Sequence, residues 1–487
     1  MKPKTAQEKT LCVGSEIGRL RRLMIHNPDN GLAKVIPSKA QDWLFEDIIH
    51  LDTMRRHEYD HYVKLLLYFL DAEKVRGKLA DIDQPEKNRA FYEPDQPEYF
   101  CSNKVIDPQY LLSEILNDRE LRIKIVASIC AVEESPYQLL DELLRLESKV
   151  LARTLISGVM PEGSIIFPPV PNFIFTRDIG IVINDHILLN RPAKVVRFRE
   201  SLIMKYIFYN HPYFKEYQDK IIELADDEHQ YFMSDEEEEA HQITLEGGDV
   251  MVVNKHHVVI GRSERTSYKA VNKVIKTLFD LNLVRKVSVI KIPKKRDFMH
   301  IDTIFTQVKR NVWVLFGALS RQNKYYEKQD FIKDSASPGY DDTHRPQIIQ
   351  FHKGRTNQPV YFEYLEDLLD DISQNDCQSE APTRFIYSGN AEFPFGLREQ
   401  WTDSCNVLAL REGVVIGYDR NNKTAEAFQK EGFEVISAPE LIQQFEQGER
   451  KPDLVRDTLI LLPSAELSRA RGGSHCMSMP LWREELE

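Results

Sequence analysis

The sequence predicts an α/β protein that carries an inserted helical domain, and three patterns support this fold class. Strand, turn, strand and helix patterns follow one another in two stretches that begin at Asp249 and Asn406, and "VVIG" lies at nearly the same offset in both. Shorter relatives of this pattern begin at Asp178 and Asp302. Residues 51–159 instead show helical periodicity and almost no strand pattern. Because repeated modules commonly pack around an axis, we expect the polar residues that open the repeats to converge on one site.

The same patterns divide the chain into three segments. We predict that residues 1–52 begin the repeat-containing part, that residues 53–158 form a helical bundle inserted into it, and that residues 159–487 complete it. Two stretches fit the repeat poorly, and we expect both to be loop insertions without a catalytic role. They are 208–241, which contains the acidic run "SDEEEEAH", and 324–384.

Composition limits the classes of partner. The chain has 487 residues, of which 42% are hydrophobic, and a net charge of -12. Nucleic acids and anionic membranes attract basic proteins, so we expect neither as a partner. The N-terminal sequence lacks the apolar region of a signal peptide, and no run reaches the ~18 apolar residues that span a bilayer. Because the six cysteines have irregular spacings and no CxxC pair, we predict a cytoplasmic protein with reduced thiols.

A cysteine near the C-terminus is the first candidate for chemistry. Cys476 follows Arg471, Gly472, Gly473 and His475. A small buried core residue is the plain alternative, because free cysteines are commonly buried. The glycines and the basic residues indicate a flexible, electropositive approach to the sulfur, which favours a reactive thiolate over a packed interior. We therefore interpret Cys476 as a nucleophile.

A histidine and several acidic residues supply further candidates. In "MHIDTIFT", His300 and Asp302 are two residues apart, so a strand would place both side chains on one face. A structural hydrogen bond between them explains that fragment equally well. Glu246 and Asp249 flank two glycines in "TLEGGDV", where an ordinary turn with exposed acids is favoured. The neighbouring arginine and aspartate of "PNFIFTRDIG" are typical of surface electrostatics.

Eight motifs, taken in order, resemble the arginine deiminase family of the guanidino-group-modifying (pentein) superfamily. They are "SEIGRLRRLMIHNP", "LFEDI", "PNFIFTRD", "LEGGDV", "GRSERTS", "MHIDTIFT", "REQWTDSCN" and "ELSRARGGSHCMSMPL". The helical insertion lies where that family carries one. The resemblance implies a five-module pseudo-symmetric α/β propeller, the pentein fold, with an inserted helical domain and an active site on its axis. It implies no metal and no organic cofactor.

The resemblance also implies catalytic roles for five residues. Cys476 matches the family nucleophile, and His300 matches the general acid and base. Asp178 and Asp302 match the carboxylates that bind the guanidinium. Glu246 matches the acid that supports the site beside the histidine.

Substrate-binding residues follow from the same resemblance. Arg197 in "VRFRES" and Arg265 in "SERTS" match the arginines that hold the substrate α-carboxylate. Asn172 and Phe175 match positions around the substrate's amino end. Three further positions are assigned to substrate binding: Arg471 in the mobile loop before the cysteine, Leu44 in the loop that covers the pocket, and Asp249.

The activity implied by the resemblance is hydrolysis of free L-arginine to L-citrulline and ammonia through a covalent thiouronium intermediate on Cys476. A guanidinium is a planar cation, and two carboxylates can bind it by bidentate, charge-assisted hydrogen bonds. Nearby carboxylates also disfavour a thiolate, so we expect the cationic substrate itself to promote deprotonation of the cysteine.

Three other interpretations stay open. The first is another guanidino-modifying enzyme, either an amidinotransferase or a hydrolase of methylated arginine or citrulline, because specificity can depend on a few pocket contacts. The second is a metal-dependent hydrolase, whose metal ligands would be His300, Asp302, Glu246 and Cys476. The third is a non-catalytic arginine sensor.

The oligomeric state also stays open, with a homo-oligomer compatible with the sequence.

Overall fold

The protein's structure is a computed structural model, and it describes residues 11–40, 42–43, 45, 47–84, 90–225, 242–321 and 347–486. Three predicted features lie wholly or partly outside these residues: Leu44, the acidic run within 226–241, and the first part of the expected insertion at 324–384. Within the described ranges, no helix combines the length and the apolar character that crossing a membrane requires.

Strands of the described residues form five sheets, and helices connect them, so the predicted α/β class is confirmed. In chain order the strands are β1 (Leu20–Met24), β2 (Val105–Ile106), β3 (Gly180–Ile183), β4 (His186–Leu189), β5 (Ile221–Ile222), β6 (Val250–Asn254), β7 (His257–Arg262), β8 (Lys286–Lys291), β9 (Phe305–Lys309), β10 (Val312–Leu315), β11 (Gln347–His352), β12 (Val360–Phe362), β13 (Arg384–Tyr387), β14 (Leu408–Arg411), β15 (Val414–Tyr418), β16 (Glu434–Ser437), β17 (Thr458–Leu462) and β18 (Met479–Arg483).

Helices occupy both the predicted helical segment and the crossings between strands. Within the described ranges the α-helices are Leu51–Thr53, Asp60–Leu70, Leu79–Ile82, Pro108–Ile115, Arg119–Val132, Tyr137–Leu144, Ser148–Ser157, Phe198–Asn210, Tyr268–Asp280, Leu365–Asp371, Phe395–Trp401, Asn422–Lys430 and Ala438–Gln447.

The helix Tyr268–Asp280 illustrates how the sequence specifies a crossing. Ser267 caps its first turn, because the hydroxyl oxygen accepts a backbone N–H three residues further on. Val271, Val274 and Leu278 recur at helical spacing and are buried against the neighbouring strands. The apolar stripe and the cap therefore define the start and the inner face of this helix.

The four predicted hairpins are confirmed. β3 and β4, β6 and β7, β9 and β10, and β14 and β15 pair antiparallel. The second strand of each hairpin also pairs parallel with a later strand, which is β5, β8, β13 or β17. Parallel pairing requires a crossover connection, and at least one helix lies in each of these crossings. The unit predicted from the repeats is therefore hairpin, helix and parallel strand.

The fifth sheet combines strands from the two ends of the described chain with β2. β18 pairs antiparallel with β1, from Leu20 opposite Arg483 to Met24 opposite Met479, and β1 pairs parallel with β2. Because β18 begins shortly after Cys476, this pairing anchors the segment that carries the sulfur. The candidate nucleophile therefore lies before a paired strand, in the same place as the polar residues that open the other hairpins.

The predicted helical segment shares its hydrophobic cores with the strand repeats. Leu66 of its first long helix packs in one core with Leu441 and the strands around it. Leu155, from the last helix of the segment, packs in a second core with Ile187 of β4. Burial of each such leucine contributes roughly 1.5–3 kcal/mol. The proposed division of the chain at residues 53 and 158 stays a prediction.

Two expected loop insertions contain regular structure. Residues 347–384 include β11, which pairs antiparallel with β8, and β12, which pairs antiparallel with β11, so the two strands together extend that sheet to five strands. Gln350 on β11 is buried and donates a hydrogen bond to Ser288 Oγ at 3.2 Å. A polar residue at a buried position breaks the alternation of apolar and polar residues by which a strand is predicted. Within 208–225, a 3-10 helix at Pro212–Lys220 leads into β5. The expectation of loops is wrong for these two stretches.

The strand expected at His300 and Asp302 is also wrong. Ile301–Thr303 form a 3-10 turn, and β9 begins after it. Asp249 holds this turn from outside, because its Oδ1 accepts the backbone N–H of the turn's first residue at 3.1 Å. A contact between residues 52 positions apart leaves no trace in a local pattern.

Candidate active site

Polar residues that open the repeats converge, as the sequence predicts. Asp178 and Asp249 lie in 3-10 turns just before β3 and β6, and Asp302 lies in the turn before β9. Asn406 precedes β14, and Cys476 precedes β18. Hydrogen bonds and ion pairs connect their immediate surroundings, so one buried site receives a residue from each of the five sheets.

The Cys476 sulfur lies between a carboxylate and an amide. Its Sγ is 3.5 Å from Asp302 Oδ2, and Asn406 Nδ2 donates a hydrogen bond to Sγ at 3.1 Å. Burial raises the pKa of the Cys476 thiol well above its usual range, and the charges of Asp302 and Asp178 raise it further. The thiol is therefore protonated at neutral pH when no cation is bound.

The segment around Cys476 is packed and carboxylate-rich, so the expected flexible, electropositive approach is wrong. Cys476 is only 4% exposed. A Cβ at Gly472 would lie 2.3 Å from Phe175 Cε1, and one at Gly473 would lie 2.4 Å from the Asn406 carbonyl oxygen. The two glycines therefore permit close contact with neighbouring residues.

His300 is held between two carboxylates. Its Nε2 lies 2.9 Å from Glu246 Oε2, and its Nδ1 lies 3.9 Å from Asp178 Oδ1. Burial lowers the pKa of His300, but the charge of Asp178 and the hydrogen bond to Glu246 outweigh burial and raise it to about 10. The imidazole is therefore cationic at neutral pH, with Nε2 occupied by Glu246 and Nδ1 on the side of Asp178.

The turn that carries Glu246 and Asp249 is buried, so the expectation of exposed acids is wrong. Asp249 Oδ2 accepts the Ser263 hydroxyl at 2.5 Å, and burial raises the pKa of Asp249 to about 6. A Cβ at Gly247 would lie 1.9 Å from the Arg177 carbonyl oxygen, so this glycine allows two of the site's turns to pack together. In this structure Asp249 supports the turn before β9.

Arg197 and Arg265 lie on either side of Glu246. Arg197 Nη1 is 3.1 Å from Glu246 Oε2 and 3.2 Å from Asp178 Oδ2, and Arg197 also pairs with Glu200 at 3.0 Å. Arg265 Nη1 is 4.0 Å from Glu246 Oε1, a much looser contact. Arg197 thus neutralises protein carboxylates at close range, while Arg265 has only long ion-pair contacts among the described residues, at 4.0 Å to Glu246 and 3.9 Å to Glu264.

Arg471 is a buried arginine with unused hydrogen-bonding capacity. Its guanidinium stacks 3.7 Å above the centre of the Trp401 ring, and its Nη2 donates to the Asp297 carbonyl oxygen at 3.3 Å. Its Nε and Nη1 are buried and have no hydrogen-bond partner among the described residues. These two N–H groups are free to donate hydrogen bonds to an anionic group of a ligand.

The remaining predicted residues are less closely connected to the sulfur. Asn172 donates to the Trp43 carbonyl oxygen at 2.8 Å, which ties it to the segment that contains the undescribed Leu44. Phe175 packs against Gly472 and is buried. Neither side chain is in a contact that by itself indicates a ligand.

A buried chain of polar side chains behind the nucleophile is not identified from the sequence. His475 Nδ1 lies 2.9 Å from Asp302 Oδ2, and its Nε2 lies 3.2 Å from Glu16 Oε2. Arg177 reaches Glu16 at 3.4 Å and is 3% exposed, so the expected surface role of this arginine is wrong. Its position next to Cys476 could have identified His475 as a site residue. Glu16 lies 459 positions from His475, so no local sequence pattern indicates that it belongs to the site.

One group of side chains has the ligand types of a metal site. Ligand atoms of Asp178, Glu246 and His300 lie within 4.8 Å of one another. Arg197, however, places a positive charge 3.2 Å and 3.1 Å from the carboxylate oxygens of Asp178 and Glu246. A proton on His300 also competes with a metal ion, because metal ligation requires the neutral imidazole. The group fits an ionic network better than a divalent cation.

Known proteins resemble this chain along most of its length. The arginine deiminase of Borreliella afzelii is 29% identical over 478 residues, which cover 97% of this chain and 97% of that protein. The arginine deiminase of Staphylococcus aureus strain JH9 is 29% identical over 484 residues, which cover 97% of this chain and 98% of that protein. Among solved structures, an amidinotransferase of the saxitoxin biosynthetic pathway from Microseira wollei matches 98% of each chain with 11% identity and a TM-score of 0.46.

A family model described as arginine deiminase matches residues 137–483, which is more than half of the chain. The family predicted from the motifs is therefore confirmed, and the chain belongs to the arginine deiminase family.

Proposed function

We propose that the protein hydrolyses free L-arginine to L-citrulline and ammonia through a covalent intermediate on Cys476. One observation carries the proposal. Asp302 Oδ2 lies 3.5 Å from the Cys476 sulfur, while Asp302 Oδ1 is buried and has no hydrogen-bond partner among the described residues. A buried carboxylate oxygen without a donor is costly, and a guanidinium supplies planar, cationic donors for it. The names of the two bacterial relatives support arginine as the substrate.

In the first step, the Cys476 thiolate attacks the central carbon of the guanidinium. Asp178 and Asp302 bind the guanidinium, and its positive charge offsets the carboxylates that disfavour a thiolate, so the thiol releases its proton to solvent. The S–C bond forms as a C–N π bond opens. Protonated His300 then donates its Nδ1 proton to the departing nitrogen, so ammonia leaves and a thiouronium cation remains.

In the second step, neutral His300 accepts a proton from water while the water oxygen bonds to the thiouronium carbon. Collapse of this adduct forms the C=O bond of citrulline and breaks the C–S bond, and the hydroxyl proton leaves with the sulfur as a thiol. His300 is again protonated, and Cys476 is again a thiol. Glu246 supports both steps because its contact at 2.9 Å occupies Nε2 and leaves Nδ1 for the transfers.

Specificity for free arginine rests on the arginines around the site. We assign the substrate α-carboxylate to Arg265, whose ion-pair contacts with Glu246 and Glu264 are long, at 4.0 Å and 3.9 Å, and to Nε and Nη1 of Arg471, which have no hydrogen-bond partner among the described residues. Arg197 contributes indirectly to substrate binding, because its ion pairs hold the carboxylates of Asp178 and Glu246 in the site. Asn172 and Phe175 complete the pocket at the amino end of the substrate.

We further propose that the five sheets are the modules of a pseudo-symmetric propeller with residues 53–158 as an insertion. The shared order of hairpin, helix and parallel strand supports this arrangement, as does the convergence of the residues before the hairpins. A cytoplasmic location is supported by the cysteines, all six of which are free thiols.

Product analysis tests the activity. The protein is incubated with arginine, with and without an amine acceptor, and citrulline, ammonia and any transferred amidino group are quantified. We expect citrulline and ammonia in equal amounts from the native protein and no citrulline from Cys476→Ala. Cys377→Ala is the matched control, because Cys377 is also a buried free cysteine but contacts Gln307 instead of the site.

Other outcomes would overturn parts of the proposal. Transfer of the amidino group to the amine would make the protein an amidinotransferase. Loss of activity on treatment with a strong chelator, with recovery on adding a divalent cation, would support a metal-dependent hydrolase instead. Tight arginine binding without any turnover by the native protein would leave an arginine sensor.

A further inference from the structure

Asn406 contacts the nucleophile in two ways. Its Oδ1 accepts the backbone N–H of Cys476 at 3.0 Å, and its Nδ2 donates to Cys476 Sγ at 3.1 Å. Nδ2 also donates to the backbone carbonyl oxygen of Asp302 at 3.2 Å. These contacts determine the orientation of the amide, because a rotated amide would direct its oxygen at a carbonyl oxygen and its NH2 group at an N–H donor. Asn406 is 1% exposed, so water does not compete for them.

The fourth repeat presents an amide where three other repeats present a carboxylate. Asp178, Asp249 and Asp302 precede β3, β6 and β9, and Asn406 precedes β14 in the corresponding place. A carboxylate at this position could still accept the Cys476 N–H. It could not donate to the sulfur, and it would repel a thiolate about 3 Å away.

The hydrogen bond from Asn406 opposes the effect of the negative charges near the sulfur. Burial raises the pKa of Cys476 most, and the charges of Asp302, Asp178 and Asp403 raise it further, whereas the hydrogen bond from Asn406 lowers it. Hydrogen bonds to charged groups are roughly twice as strong as those between neutral groups. The interaction therefore strengthens when the thiol loses its proton.

We propose that Asn406 is a further catalytic residue, whose carboxamide donates to the Cys476 sulfur and stabilises negative charge on it during attack and during departure from the intermediate. This inference rests on the proposed function, because it requires Cys476 to be the nucleophile. The same amide also holds the backbone of Cys476, so it orients the sulfur towards the carbon that it attacks.

Two substitutions distinguish a catalytic role of the Asn406 N–H donor from a role in folding. Asn406→Ala removes both contacts, whereas Asn406→Asp keeps the shape and the acceptor for the Cys476 N–H but loses the donor. Gln307→Leu is the matched control, because Gln307 is buried and its Nε2 lies 3.4 Å from the sulfur of Cys377, outside the site. Each protein is assayed for kcat and KM with arginine, and for thermal unfolding.

Alkylation provides a readout that does not need turnover. Each protein is treated with iodoacetamide between about pH 6 and pH 11, and modification of the Cys476 peptide is followed by mass spectrometry. For Asn406→Ala we expect kcat to fall about 100-fold with KM within about threefold, and the midpoint pH of Cys476 alkylation to rise. Asn406→Asp should lower kcat at least as much and raise the midpoint further. Gln307→Leu should change neither quantity.

Each remaining outcome has a defined meaning. Unchanged kcat in folded Asn406→Ala, or a fall in kcat with an unchanged alkylation midpoint in both variants, would overturn the inference and leave Asn406 a structural role. If Asn406→Ala does not fold, Asn406→Asp decides by the same measurements. If the native protein makes no citrulline, the proposed function fails, and the alkylation midpoints still decide whether Asn406 stabilises the thiolate.

Discussion

Gly248 lies so close to His300 that even one added methyl group must displace the imidazole. A Cβ on Gly248 would lie 2.5 Å from His300 Nδ1, 2.7 Å from Cγ and 2.9 Å from Cβ. Non-bonded heavy atoms prefer separations of about 3.5 Å or more, so Gly248→Ala must move the ring by roughly 1 Å. The hydrogen bond of 2.9 Å between His300 Nε2 and Glu246 is then stretched or lost.

The magnitude of the effect follows from that displacement. A misplacement of about 1 Å at a reacting group can lower the rate about 100-fold, which corresponds to about 2.7 kcal/mol of activation free energy. We expect Gly248→Ala to lower kcat with arginine by this factor and to leave KM within about threefold, because the imidazole acts mainly in proton transfer. Steady-state kinetics measured by citrulline release provide the assay.

A second alanine substitution provides the control. At Gly14 a Cβ would have 3.8 Å to its nearest neighbours, which is an ordinary contact, so Gly14→Ala should keep the native kcat and melting temperature. If folded Gly248→Ala kept kcat within about threefold of the native value, the reasoning would be refuted, because His300 could not then depend on its present position for proton transfer.

Two further predictions concern a buried ion pair and substrate selection. Burial lowers the pKa of His26, but Asp107 and Asp29 outweigh burial and raise it from the usual 6.5 to about 9. The ion pairs of protonated His26 therefore stabilise the fold fully below pH 6.5, and this stabilisation is lost as the pH rises through 9. We expect His26→Gln to lower the free energy of unfolding by about 3 kcal/mol at about pH 6 and by less at about pH 10, as measured by denaturant titration; equal losses at both pH values would contradict this. Arg265→Ala should raise KM for arginine at least about tenfold but should not change KM for agmatine, which lacks the α-carboxylate. Arg262→Ala is the control, because the guanidinium of Arg262 stacks on a tyrosine, and it should change neither KM. An equal increase for both substrates would contradict the role of Arg265.

Local patterns predict those parts of the fold that depend on local interactions. The four hairpins follow from short apolar runs separated by turn residues, and the repeat of that pattern predicts that their opening residues converge. The strand at Gln347–His352 is missed because Gln350 is polar yet buried, with its hydrogen bond supplied by Ser288 on a neighbouring strand. The turn at Ile301–Thr303 is missed because Asp249 supplies its support from another repeat.

The candidate site divides in the same way. The motifs identify Cys476 and His300, and the structure brings these residues to the same group of carboxylates. Glu16 is missed because only folding brings it within hydrogen-bonding distance of His475. The glycines before the cysteine are correctly noticed but wrongly explained, because glycine serves flexibility and close packing equally well and only the neighbouring atoms distinguish the two.

The carboxylates around the buried thiol affect more than the reaction rate. In the proposed mechanism Cys476 stays protonated until a cation binds, and we expect such a thiol to react slowly with hydrogen peroxide and with uncharged electrophiles, since both need the thiolate. We therefore expect the neighbouring carboxylates to protect the sulfur against irreversible oxidation between turnovers. An electrophile that carries an amidinium group would bring the missing positive charge with it, so selective covalent inhibitors of this site should be cations.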